Sequence, residues 1–144
     1  MKFKKIISVL LALVCLFSSV AFATYAANNS VDEMQASGLI FRFNLAISKE
    51  NSTTLYIEGS TVCDPVVVKC GFKNLKVQRR ANSSSSWSDF YDYGNVYSDS
   101  DYAILGRYLT VDSGYQYRVT CKHYAKKNIL NTQTISNTSN IVTF

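Results

Sequence analysis

The stretch DSGYQYRVTC, residues 112 to 121, decides how the rest of the chain reads. Asp112, Ser113 and Gly114 are turn formers, Asp and Ser through side-chain bonds to nearby backbone and Gly through its tolerance of left-handed backbone. Beyond the turn, Tyr117, Val119 and Cys121 alternate with Arg118, Thr120 and Lys122. A period of two sends the first set to one face of a strand and the second to the other. A half-buried β-strand entered from a tight turn is the expectation.

The same alternation recurs on both sides. Upstream, LIFRFNLAI puts Leu39, Phe41, Phe43, Leu45 and Ile47 on one face and Arg42 and Asn44 on the other. Leu55, Ile57 and Gly59 oppose Tyr56, Glu58 and Ser60, and Leu75 and Val77 oppose Lys76 and Gln78. Pro65 keeps CDPVVVKCG out of a central strand. ANSSSS reads as a hairpin turn before WSDFYDYGNVYSDSDY, and a further strand covers about Tyr102 to Leu109. AKKNILN turns the chain again, and TQTIS and NIVTF form a last strand with a break between them. Some seven strands punctuated by turns, with no useful helical period, predict an all-β fold: a single antiparallel β-sandwich.

The first residues have a different character. Basic MKFKK, the apolar run IISVLLALVCLFSSVAFA and the small-x-small site Ala21-Phe22-Ala23 describe an export signal, residues 1–26, cut after Ala23 or Ala26. Cys15 follows Val14 where a lipoprotein would carry a small residue, so lipidation is not expected. Residues 27–37 read as a loose polar lead-in and residues 38–144 as the sandwich domain. The chain holds 15 basic and 10 acidic residues, but Lys2, Lys4 and Lys5 fall in the signal. Twelve against ten leaves +2, which removes the main support for a nucleic-acid partner. No later apolar run is long enough to span a bilayer. An exported monomer, secreted or retained at the cell surface, is the expectation.

Three cysteines follow the signal: Cys63, Cys70 and Cys121. Export permits disulfides, and an odd count leaves at least one thiol over within a monomer. Cys63 and Cys70 bracket the proline-containing excursion and form the first candidate pair. Cys63 also has the inward parity that would suit Cys121, and three unbonded thiols are the remaining option. The x6 spacing fits neither thioredoxin-type chemistry nor the common zinc knuckles.

The turn-strand stretch resembles the F strand of immunoglobulin domains, but the tyrosine of that family stands two residues before the cysteine, where this chain has Val119. Val111, Tyr117, Val119 and Cys121 fit the fibronectin type III pattern better, and LKVQRRANSSSSWSDF is similar to its C and C′ strands. From about residue 38 to 144 the chain also resembles small exported proteins of clostridia and related Firmicutes. The shared features are Gly59, Val77-Gln78-Arg79, Trp87, Gly114 to Val119, and Ser139-Asn140-Ile141-Val142. That resemblance implies a fold and no activity, since the group carries no assigned function.

Candidate chemistry is sparse. His123 lies two residues after Cys121, so the two share a strand face, but no third group or oxyanion site is visible and no catalytic residue is assigned. A core cysteine and a histidine at the strand's end account for both. One histidine with these thiols makes no metal site, and no cofactor is implied. The richest segment is 87–102, where Tyr91, Tyr93 and Tyr97 are interleaved with Asp92, Asp99 and Asp101. Rings stack on the apolar faces of sugars while carboxylates accept hydroxyl hydrogens, and tyrosine also serves protein interfaces. These six are the candidate ligand-binding residues; sheet-surface tyrosines and turn-forming aspartates explain them equally well. Lys76, Gln78, Arg118, Thr120 and Lys122 are expected on one polar sheet face.

The expected function is a non-enzymatic binding module at or outside a bacterial envelope, acting on a surface polymer or protein. A thiol-dependent enzyme or redox protein using Cys121 and His123 is the alternative from another class. A purely structural surface accessory is the third.

Overall fold

The computed structural model describes residues 34–144. The signal-peptide expectation for residues 1–26, and the lead-in as far as residue 33, lie outside them. The strands are β1 (Met34–Gln35), β2 (Ile40–Asn51), β3 (Thr54–Cys63), β4 (Lys69–Arg80), β5 (Ser88–Ser98), β6 (Tyr102–Thr110), β7 (Gln116–Lys126), β8 (Thr132–Thr138) and β9 (Val142–Thr143), with no helix among the described residues. Two antiparallel sheets result, one in the order β1-β2-β3-β6 and one in the order β5-β4-β7-β8, with β9 beside β7. The fold is therefore an antiparallel β-sandwich. Seven of its strands are long, in keeping with the seven or so that the sequence predicts. Met34 and Gln35 pair with Phe43 and Arg42, so ordered backbone begins before residue 38.

The inward faces meet in one core. Phe43, Leu45, Ile47, Leu55, Ile57 and Leu105 come from the first sheet, and Phe72, Leu75, Val77, Tyr117, Val119 and Cys121 from the second. Each large apolar side chain removed from water contributes about 1.5–3 kcal/mol. The chain crosses between the sheets three times, through residues 64–68, 99–101 and 111–115.

The third crossing is the turn and strand start of DSGYQYRVTC. Gly114 has φ +82°, which closes the turn as only an unbranched backbone does without strain. Tyr117 is fully buried, and its hydroxyl accepts from the Asp112 N–H (3.0 Å) while donating to the Asp112 carbonyl (2.9 Å). Both backbone groups of one corner residue are thereby satisfied by a core side chain. Arg79 closes the corner from outside, donating to the Asp112 carboxylate at 2.6 Å and lying over Phe90 and Tyr115.

Two amide side chains join the sheets along their open side. Asn140 binds Ile47 twice, its Oδ1 accepting from the backbone N–H (3.0 Å) and its Nδ2 donating to the carbonyl (2.8 Å). Gln133 accepts from the Ile40 N–H and donates to the Ser37 carbonyl. Ser139 completes the break between β8 and β9, accepting from the Val119 N–H at 2.9 Å.

Two readings change. Leu39 and Phe41 were expected inward, yet Ile40 is fully buried and Phe41 is exposed. The register moves from Ile40↔Cys63 to Arg42↔Val62, so Phe41 is the extra residue of a β-bulge and alternation changes phase there. His123 was placed at a strand end; β7 runs on to Lys126, and His123 is a fully buried mid-strand residue.

Candidate functional site

The buried polar groups form a closed chain across the two sheets. The Thr138 N–H donates to Asn137 Oδ1 (2.7 Å), which turns the Asn137 amide nitrogen toward His123 Nε2 (3.3 Å). Nε2 is then the acceptor, and Nδ1–H faces Thr61 Oγ1 at 2.8 Å, whose own proton goes to the Gly71 carbonyl at 3.3 Å. The imidazole ring lies between Phe43 and Phe72, with centroids 4.8 and 5.3 Å away. Burial lowers its pKa to about 4, so the ring is neutral at physiological pH. On the same side of β7, burial raises Cys121 to about 12. A protonated thiol beside a histidine whose nitrogens are both engaged lacks the thiolate that nucleophilic chemistry uses.

Cys63 and Cys70 are buried, unbonded thiols in side-chain contact, at the end of β3 and the start of β4. The hydrogen bond with Cys70, reinforced by burial, pushes the Cys63 thiol well up. They flank the first crossing between the sheets. Cys121 is unbonded too.

The six residues singled out in sequence are distributed over separate places. Tyr91 and Tyr93 stack on one another at 4.6 Å, with Tyr93 leaning on the core. Tyr97 instead packs on Tyr124 at 5.2 Å, beneath Lys69, which bridges to Asp99 at 3.0 Å. Asp92 lies 3.6 Å from Lys76 and accepts from the Gly94 N–H. Asp101 accepts from the Ser100 hydroxyl, and its backbone carbonyl accepts from the Cys63 N–H. Register shifts along β4 and β5 cause this separation, because each bulge turns the following side chains. Phe90, Tyr93 and Val96 pack on the core at a spacing of three rather than two. Among the described residues no three His, Cys, Asp or Glu side chains gather in a way that would hold a metal ion.

The outer face of the second sheet brings together the polar residues expected there, with Lys76 opposite Thr120, Gln78 opposite Arg118 and Lys73 opposite Lys122. Lys76, Gln78 and Arg118 are occupied with one another and with their neighbours. Trp87 is held between Arg80 and Arg118 at 4.4 and 4.3 Å, Arg118 donates to Gln78, and Gln78 and Lys76 donate to Asp89. Those two donors hold Asp89 below the usual carboxylate range.

The opposite outer face, that of β2, β3 and β6, differs. Its cross-strand rows are Arg42–Val62–Tyr102, Asn44–Ser60–Ile104, Ala46–Glu58–Gly106 and Ser48–Tyr56–Tyr108. Tyr102, Ile104 and Tyr108 are 56%, 76% and 65% exposed. Tyr56 and Tyr108 form a ring pair at 4.8 Å. Small side chains in the middle rows leave a depression of about 170 Å³, lined by Asn44, Tyr56, Glu58, Gly59, Ser60, Ile104 and Leu105. Glu58 has no side-chain partner among the described residues. Asn44 Oδ1 is the one described side-chain oxygen or nitrogen that is buried without a hydrogen bond. An orphaned acceptor of this kind costs about 1–3 kcal/mol. Sequence alternation puts Tyr56, Glu58 and Ser60 outward and assigns them no role. The usable signal was Ile104 and Tyr108, large apolar and aromatic residues at outward positions of a one-sided sheet.

No helix among the described residues is long and apolar enough to cross a membrane. No family model, no curated protein and no solved structure matches the chain.

Proposed function

We propose that this chain is an exported binding module that acts at or outside a bacterial envelope, and that its contact surface is the outer face of β2, β3 and β6. The exposure of Tyr102, Ile104 and Tyr108 side by side carries this reading. A solvated sheet face needs no such residues, whereas a recognition surface uses them. The proposal moves the contact surface away from Tyr91, Tyr93, Tyr97, Asp92, Asp99 and Asp101, several of which are engaged with neighbours. A fibronectin type III-like build, shared with small exported clostridial proteins, is part of the proposal. Supporting it are the sheet order β2-β3-β6 against β5-β4-β7-β8 and the hydroxyl of Tyr117 at its corner. The fold by itself supplies no function. The Cys121–His123 enzyme reading has no such support, because the thiol is protonated and the ring nitrogens are occupied.

The test is retention of the full exported protein on intact Gram-positive cells and on isolated walls. A Tyr102→Ser, Ile104→Ser, Tyr108→Ser variant is expected to lose retention, and a Tyr91→Ala, Tyr93→Ala, Tyr97→Ala variant to keep it. The reverse pattern would return the contact surface to β5.

A further inference from the structure

The open face has features that select a class of ligand. Its depression has room for about six water molecules at liquid density, the scale of one monosaccharide ring. The polar side-chain groups that line it without a hydrogen-bond partner among the described residues are of both kinds: acceptors in the Glu58 carboxylate and in Asn44 Oδ1, which is buried, and donors in Asn44 Nδ2 and the Ser60 and Tyr56 hydroxyls. A ligand that completes them must bring groups that both donate and accept, as hydroxyls do. At one end the Tyr56–Tyr108 pair, and along one side the exposed Ile104, ask for an apolar surface as well. Across the four cross-strand rows, the charged residues are Arg42 and Glu58, one of each sign. A face with balanced charge gives no general attraction to a polycation or a polyanion.

Hydroxyls around an apolar ring face, without net charge, describe a pyranose. We infer that the depression between Asn44, Tyr56, Glu58 and Ile104 binds one pyranose unit of a neutral surface polysaccharide. The CH face of the sugar lies on the Tyr56–Tyr108 pair and against Ile104. Two of its hydroxyls donate to the Glu58 carboxylate, and a further one donates to Asn44 Oδ1 once the amide turns outward, supplying the donor that oxygen lacks. The Ser60 hydroxyl, opposite Asn44 in the register, is placed to donate to or accept from the same sugar edge. This inference rests on the binding-module reading and adds the chemical class of its ligand.

The experiment is native gel electrophoresis of the full exported protein through gels cast with soluble neutral polysaccharides: a β-glucan, a mannan, a galactan and an arabinoxylan. Retention on isolated cell walls is measured in parallel. Retardation by at least one of the four polymers, reversed by its free monosaccharide, is the expected result. Tyr108→Ala and Glu58→Gln should each weaken it by roughly tenfold, the scale of one ring contact or one charge-assisted hydrogen bond. Tyr91→Ala should leave it unchanged, and thermal melts establish that each variant is folded. Retardation that Tyr108→Ala and Glu58→Gln do not alter would place the sugar elsewhere and overturn the assignment. Retention on walls with no retardation by any of the four polymers sinks the sugar inference and leaves the binding module standing; release of that retention by salt or by a basic peptide identifies an ionic or protein ligand instead. Absence of both wall retention and retardation overturns both proposals.

Discussion

The two outer faces of this sandwich are made of similar residue types and end in opposite states. On the face of β4, β5 and β7, Trp87, Arg80, Arg118, Gln78, Lys76 and Asp89 form one connected network. On the face of β2, β3 and β6, tyrosines, a glutamate and an asparagine are left with exposed rings and unmatched acceptors. The difference is one of stoichiometry. Around Gln78 the first face sets donors beside acceptors on neighbouring strands, so those groups satisfy one another. The second has acceptors opposite small or apolar partners, such as Glu58 between Ala46 and Gly106. A face whose polar groups are mutually bonded is closed to a ligand of ordinary affinity, because the ligand must first break those bonds. An unmatched face carries no such cost.

The joint between the faces gives the largest expected effect. His123 reaches Thr61 of the first sheet and Asn137 of the second, and burial holds its pKa near 4 against an unfolded value near 6.5. The folded state therefore resists a proton that the unfolded state accepts. Stability from this group is complete above about pH 6.5 and is lost as the pH falls toward 4, by about 3 kcal/mol in all. Urea midpoints for the parent and for His123→Gln, measured between pH 7 and pH 4.5, isolate the effect from the carboxylates common to both. A steeper acid decline in the parent is expected; parallel declines would mean that His123 titrates as it does in water.

The first crossing offers a second lever on the same joint. Oxidised glutathione should take the two hydrogens of Cys63 and Cys70, leaving two reduced glutathiones and one bond that spans β3 and β4. The thiol titre of the denatured protein then falls by two, with Cys121 still reactive. Closing so short a loop is expected to raise stability by about 2–3 kcal/mol on the chain-entropy account. Retention on cell walls should not change, since the open face lies outside the pair. A titre that does not fall, or a loss of retention on oxidation, would break the separation of joint from face.

What sequence revealed of this arrangement follows from how local each feature is. In β3 and β7, inward and outward residues alternate without interruption, so Leu55 to Gly59 and Tyr117 to Cys121 read correctly from period alone, while β7 runs on through His123 and Ala125, where a strand end and a turn were expected. The corner of Tyr117 was also legible, because its turn and its tyrosine lie within five residues of each other. The bulge at Phe41 was not, since an extra residue is defined only against the partner strand. The same holds for β5, where register shifts carried Tyr91 and Tyr93 away from Tyr97. The burial of His123 depends on Thr61, 62 residues away. The candidate site is less local still. Asn44, Ser60 and Ile104 are neighbours through the register of three strands, and the lack of a partner for Glu58 becomes visible once every residue around it has been placed.

A matched pair of truncations sharpens the contrast between the faces. Trp87→Ala removes the ring that two guanidiniums cover, and it should destabilise the fold by about 1–2 kcal/mol with wall retention unchanged. Tyr108→Ala removes a ring that is largely in water, and its cost should stay within about 0.5 kcal/mol while retention is lost. Melting curves and the wall assay on the same two proteins check both halves. Equal destabilisation by the two substitutions would show that the rings of the open face serve the fold.

The smallest effect is expected where contacts are most numerous. Lys76 reaches Asp89 at 2.6 Å and Asp92 at 3.6 Å, yet all three side chains are well exposed to solvent. Water and salt screen such a pair, and ordering two long side chains offsets most of what attraction remains. Lys76→Met, Asp89→Asn and the double variant should therefore melt with the parent, within the error of the measurement, at low and at high salt. Gln78 gives the pair its one chance of exceeding this, because it holds Asp89 and Arg118 in the same network. A coupling between Lys76 and Asp89 that vanishes in Gln78→Ala would show that the closed face owes its order to the amide, with the charges following it.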